Sequence, residues 1–126
     1  MYDTLSAACC IAMFHGCTSL QYPPELPNTT LTSSCYMRMF SGCTSLTTAP
    51  ELPATTLATE CYNAMFIGCT SLNNITMLAE SISSTNCLED WVYNVASTGT
   101  FTKSANMTTL STGSDGIPSG WTVVNK

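Results

Sequence analysis

The chain has 126 residues and a net charge of −5, which suits one domain with a modest core. Only 9% of residues are charged, and the cations Arg38, Lys103 and Lys126 are scattered, so nucleic acid and anionic membrane surfaces are poor partners. No apolar run approaches the roughly eighteen residues of a membrane span, and no membrane insertion is expected.

Met1-Tyr2-Asp3-Thr4 carries neither a basic stretch nor a long apolar run, so no signal peptide is read here. The phrase MF-x-GCTSL occurs at Met13–Leu20, Met39–Leu46 and Met65–Leu72, at the same 26-residue interval. Ser6-Ala7-Ala8-Cys9 looks like a lipoprotein cleavage box, but Cys9 precedes Cys35 by that same interval and belongs to the repeat. A fixed period of this length predicts a solenoid whose units bury their apolar residues against one another. The chain is expected to begin inside a longer protein.

Leu46–Leu72 gives the clearest unit. Leu46 to Leu52 reads as a short extended segment with both leucines inward and Thr47 outward, and Pro50 limits regular pairing because it has no amide proton. After Pro53, Thr55 or Thr56 can cap a helix. From Leu57 the apolar residues recur at i,i+4, with Leu57, Cys61 and Met65 in one row and Ala58, Tyr62 and Phe66 in the next. This spacing predicts a helix that ends at Gly68 in the left-handed conformation.

The preceding unit matches through Leu20, Leu26, Leu31, Cys35, Met39 and Phe40, with Pro24 and Pro27 at the two proline positions. In the following unit Leu72, Leu78 and Cys87 continue the pattern, while Thr76 and Ala79 replace the prolines. Trp91 and Val92 then stand at the Met and Phe positions, and Val95 replaces the second cysteine. The predicted solenoid therefore covers residues 1–95, about three and a half units. Residues 96–126, with Gly116-Ile117-Pro118-Ser119-Gly120 as a tight turn before Trp121-Thr122-Val123-Val124, read as a β-rich cap over its apolar end.

The cysteines form two rows. Cys9, Cys35, Cys61 and Cys87 lie in the predicted helices, Cys17, Cys43 and Cys69 follow the glycines, and Cys10 is extra. Three arrangements remain open. Pairs Cys17–Cys35, Cys43–Cys61 and Cys69–Cys87 would staple neighbouring units, each closure contributing about 3 kcal/mol. Pairs Cys35–Cys43 and Cys61–Cys69 would close within a unit. Reduced thiols would act as small apolar plugs. The spacing lacks a Cys-x-x-Cys element, lone His15 has no repeated partner, and no base recurs beside a thiol, so neither a metal site nor a catalytic nucleophile is read.

Repetition turns one exposed residue into a row with rungs about 5 Å apart. Gln21, Thr47 and Asn73 form one outward row and Tyr22, Thr48 and Asn74 the next, a candidate face of neutral hydrogen-bonding groups for a protein or a glycan. Glu25 and Glu51 stack as like charges, with Met77 in place of a third. A threonine ladder ordering water, as on an ice-binding face, is broken at Gln21-Tyr22 and Asn73-Asn74.

Leu-x-x-Ala-Pro-x-Leu-Pro, Cys-Tyr-x-x-Met-Phe and Gly-Cys-Thr-Ser-Leu together resemble the BspA-like leucine-rich repeats of Bacteroidetes surface proteins, over about residues 5–95. The resemblance implies an α/β leucine-rich-repeat solenoid, with short strands on one face around Leu20–Leu26, Leu46–Leu52 and Leu72–Leu78, helices on the other and a C-terminal β-rich cap. It also implies a cell-surface or secreted adhesion role, and it brings no catalytic residue and no cofactor. The expected function is a non-enzymatic surface adhesion or protein-interaction module. The alternatives are a carbohydrate-binding module stacking sugars on Tyr22, Trp91 or Trp121, and a structural spacer in a larger surface or phage-related protein. The oligomeric state is not legible.

Overall fold

In the computed structural model, residues 10–126 are described; the readings made on Met1–Thr4, Ser6–Ala8 and Cys9 lie outside them. Three strands form one sheet in the order β1-β2-β3: β1 (Asn74–Met77), β2 (Thr100–Lys103) and β3 (Thr122–Asn125). All pairings are parallel, with Asn74 opposite Thr100 and Thr100 opposite Thr122. Alternation sends Ile75 and Phe101 into the core, and Val123 shares their face at the uncovered edge.

Proline chemistry sets where the sheet begins. Thr48 and Leu52 make only isolated parallel bridges to Asn74 and Met77, because Pro50 between them cannot donate. Thr76 takes the place of Pro50 one period on, and there a regular strand forms. The register also slips by one: Met77, fully buried, takes the place opposite Leu52, and Leu78 is only half-buried.

The predicted helices are absent. Among the described residues there is no helix, so the α/β leucine-rich-repeat solenoid with one helical face is overturned. The resemblance to BspA-like leucine-rich repeats falls with it. Over the described residues the chain is a small, mostly sheet domain with three short parallel strands.

Successive tight turns replace each helix. Every fourth residue is left-handed: Ser34, Arg38 and Gly42, then Glu60, Ala64 and Gly68, then Asn86, Asp90 and Asn94. Between them, alternate amides divide their bonds. Met39 N–H donates to the Tyr36 carbonyl within the turn, whereas Phe40 N–H donates to the Met65 carbonyl of the next unit at 3.0 Å. Arg38 to Asn63, Gly42 to Ile67, Tyr62 to Cys87 and Phe66 to Trp91 repeat the second pattern. A four-residue turn returns every fourth side chain to the same side, as an i,i+4 helical row does, so the apolar spacing fits both.

Units one period apart therefore lie in adjacent layers. Phe14 stacks on Phe40 at 5.5 Å and Phe40 on Phe66 at 5.7 Å, while Tyr36 stacks on Tyr62 at 6.2 Å. Trp91 ends the columns: it lies 6.1 Å from Tyr62, meets Phe101 edge-on at 6.0 Å, and donates its indole N–H to the Gly116 carbonyl. Leu46, Leu52, Met65 and Leu72 fill the same core. The C-terminal segment is tied on through Trp121, whose indole N–H donates to the Ala96 carbonyl, and through β3.

Candidate functional site

The six residues of the candidate face are all exposed: Gln21, Tyr22, Thr47, Thr48, Asn73 and Asn74. Each pair follows a buried or half-buried leucine, Leu20, Leu46 or Leu72, and since both members face outward, regular alternation begins only after them, at Ile75 in the third. Thr48 bridges Asn74, Asn74 pairs with Thr100 and Thr100 with Thr122, giving one continuous row across four layers. Asn73 N–H donates to the Thr47 carbonyl and the Asn73 carbonyl accepts from Thr100 N–H, so their side chains remain available. Thr100 and Thr122 extend this row beyond the sequence reading. Thr100 lies past the point where the Gly-Cys signal stops, and Thr122 follows it by less than a full period, which hides it from a search on the repeat.

Of the three aromatic residues considered for sugar stacking, only Tyr22 is accessible, at 85% exposure. Trp91 and Trp121 are both buried, with their indole N–H groups already bonded to backbone carbonyls.

The cysteines stand in two columns along the stack. Cys61 has Cys35 and Cys87 as its electrostatic neighbours, and Cys69 has Cys43. Neighbours thus belong to the same row, one unit apart, whereas the disulfide schemes read from sequence join different rows. Cys17, Cys43, Cys61, Cys69 and Cys87 carry free thiols. Cys43 Sγ–H donates to the Phe14 carbonyl at 3.1 Å and Cys69 Sγ–H to the Phe40 carbonyl at 3.0 Å, so each bonds to the layer before it. Burial pushes Cys61 and Cys69 up to about 12 and also raises Cys43 and Cys87. Protonated, buried thiols serve as packing groups and are poor nucleophiles.

Glu25 and Glu51 are exposed, and Lys126 reaches Glu51 with 3.1 Å between Nζ and Oε2. Glu80 accepts bonds from Ser104 Oγ and Asn106 Nδ2, while Asp115 accepts from Asp90 N–H. Among the described residues no group of three or more His, Cys, Asp or Glu side chains is placed to hold a metal ion. No helix long and apolar enough to cross a membrane occurs among them.

No protein-family model matches this chain, and neither does any curated protein or solved structure.

Proposed function

We propose that the chain is a non-enzymatic protein-interaction module, acting at a cell surface or in secreted form, and that its partner lies across the outward rows of the sheet. The observation that carries this reading is the row Thr48, Asn74, Thr100 and Thr122, with Thr47 and Asn73 bonded to each other beside it. Short neutral side chains on a rigid lattice can form several hydrogen bonds with little loss of rotamer freedom. The low charge of the chain leaves those bonds weakly dependent on salt.

Panels of extracellular proteins and of glycans test it. A protein hit weakened about tenfold or more by Thr47→Arg or Asn73→Arg, with the fold intact, supports the reading. Glycan binding abolished by Tyr22→Ala would instead make it a carbohydrate-binding module. Silence from both panels would leave a spacer and overturn the proposal.

A further inference from the structure

A groove of about 410 Å³ opens where the first and second units meet, directly after Gln21-Tyr22 and Thr47-Thr48 in the chain. Its walls repeat at the period of the sequence: Pro24 with Pro50, Pro27 with Pro53 and, among them, Glu25 with Glu51. Proline rings offer apolar surface and no amide proton. Both carboxylates line the groove and are exposed, so their like charges favour a cationic occupant over an anionic one.

The chain itself supplies a sample of what satisfies them. Lys126, distant in sequence, places its ammonium on Glu51, and this is the one ion pair among the described residues. Glu25 makes none. Lys103 donates to the carbonyls of Ser104 and Met107. A lysine or arginine side chain has the complementary form, an aliphatic stem for the proline walls and a cationic head for the carboxylates.

We propose that this groove binds a basic protein segment, bringing one lysine or arginine head to Glu25 and Glu51 with its stem along Pro24, Pro27 and Pro53. The inference deepens the interaction-module reading, and Lys126, already paired with Glu51, competes with the incoming cation for that one carboxylate.

The test is fluorescence anisotropy of the full chain with a labelled peptide of alternating Lys and Ala, against a matching Glu and Ala peptide. The basic peptide should bind and the acidic one should not. The double variant Glu25→Gln/Glu51→Gln should weaken binding about tenfold, whereas Glu60→Gln/Glu89→Gln, equal in charge, should change it less than about twofold. Lys126→Ala should tighten binding, and Arg38→Gln, which removes the same charge elsewhere, should not. Equal losses in the two double variants would show attraction to net charge alone and overturn the groove. Absence of binding by the wild-type chain would overturn it too. The titration does not involve Thr47 or Asn73, so a silent protein panel beside a successful titration would fail the face reading and leave the groove standing.

Discussion

At the residue scale the structure depends on left-handed residues that are not glycine. Ser34, Arg38, Glu60 and Ala64 have φ between 50° and 56°, a conformation that costs an ordinary residue about 1–2 kcal/mol. Asn86, Asp90 and Asn94 occupy the same positions in the last unit, and their short polar side chains tolerate it better. Arg38 is exposed, so Arg38→Gly relieves the strain without removing buried packing. It should stabilise the chain by up to about 1 kcal/mol in urea unfolding, the penalty being offset in part by glycine's greater freedom when unfolded. In a helix the same change would destabilise by about 1 kcal/mol, so the sign alone discriminates.

The thiols carry a second residue-scale prediction. Burial raises Cys61 and Cys69 from 9.0 to about 12, so the folded chain keeps protons that the unfolded chain releases above pH 9. Their contribution to stability is complete below pH 9 and is lost as pH climbs toward 12. The melting temperature should therefore fall across that window, and Cys61→Ala/Cys69→Ala should flatten the fall. Native alkylation at about pH 8 should label exposed Cys17 well before Cys61 or Cys69.

At the element scale the strands exist because β-branched and aromatic residues follow one another without proline, as in Asn74-Ile75-Thr76-Met77 and Thr100-Phe101-Thr102-Lys103. Gly99 lets β2 approach its neighbours: a Cβ there would stand 2.5 Å from the Asn73 carbonyl oxygen and 2.8 Å from the Trp121 ring. Gly99→Ala should therefore cost about 2 kcal/mol or more and shift the amide resonances of β1 and β3 together. Trp91→Ala should cost about 3–5 kcal/mol, since it empties the junction of Tyr62, Phe66 and Phe101. Tyr22→Ala, at an exposed position, should change stability by less than about 0.5 kcal/mol.

Much of this level is legible in the sequence. The inward leucines Leu46 and Leu52, the effect of Pro50 and the outward Thr47 all follow from alternation and from proline's missing proton. The helices are misread because Cys61 and Met65, or Tyr62 and Phe66, share a side under either a helical or a four-residue turn period. The distinguishing signal is present in Asn86, Asp90 and Asn94, three left-handed-tolerant residues at intervals of four. Leu78 is misplaced because a slip of one residue between Leu52 and Met77 leaves no trace in the repeat.

At the scale of the whole molecule, stability comes from one apolar column shared by all layers, with ring stacks running from Phe14 to Phe66 and from Tyr36 to Trp91. Repetition also sets the surface, because an outward position stands beside its equivalent in the next layer wherever the register holds, as at Thr48 and Asn74, and not at Met77, which is buried. The neutral rows and the proline–glutamate groove are both products of that rule. Here the exposure of the six candidate residues and of the two glutamates is legible in the sequence, while the reach of Lys126 to Glu51 needs the three-dimensional arrangement. All of this depends on amides that bond from layer to layer rather than along a helix. Scalar coupling across the hydrogen bond, read by NMR on isotope-labelled protein, reports the acceptor of each amide directly. Phe40 nitrogen should couple to the Met65 carbonyl carbon, and Phe66 nitrogen to that of Trp91. Coupling of Phe40 to Tyr36 and of Phe66 to Tyr62 instead would establish helices and contradict the layered arrangement.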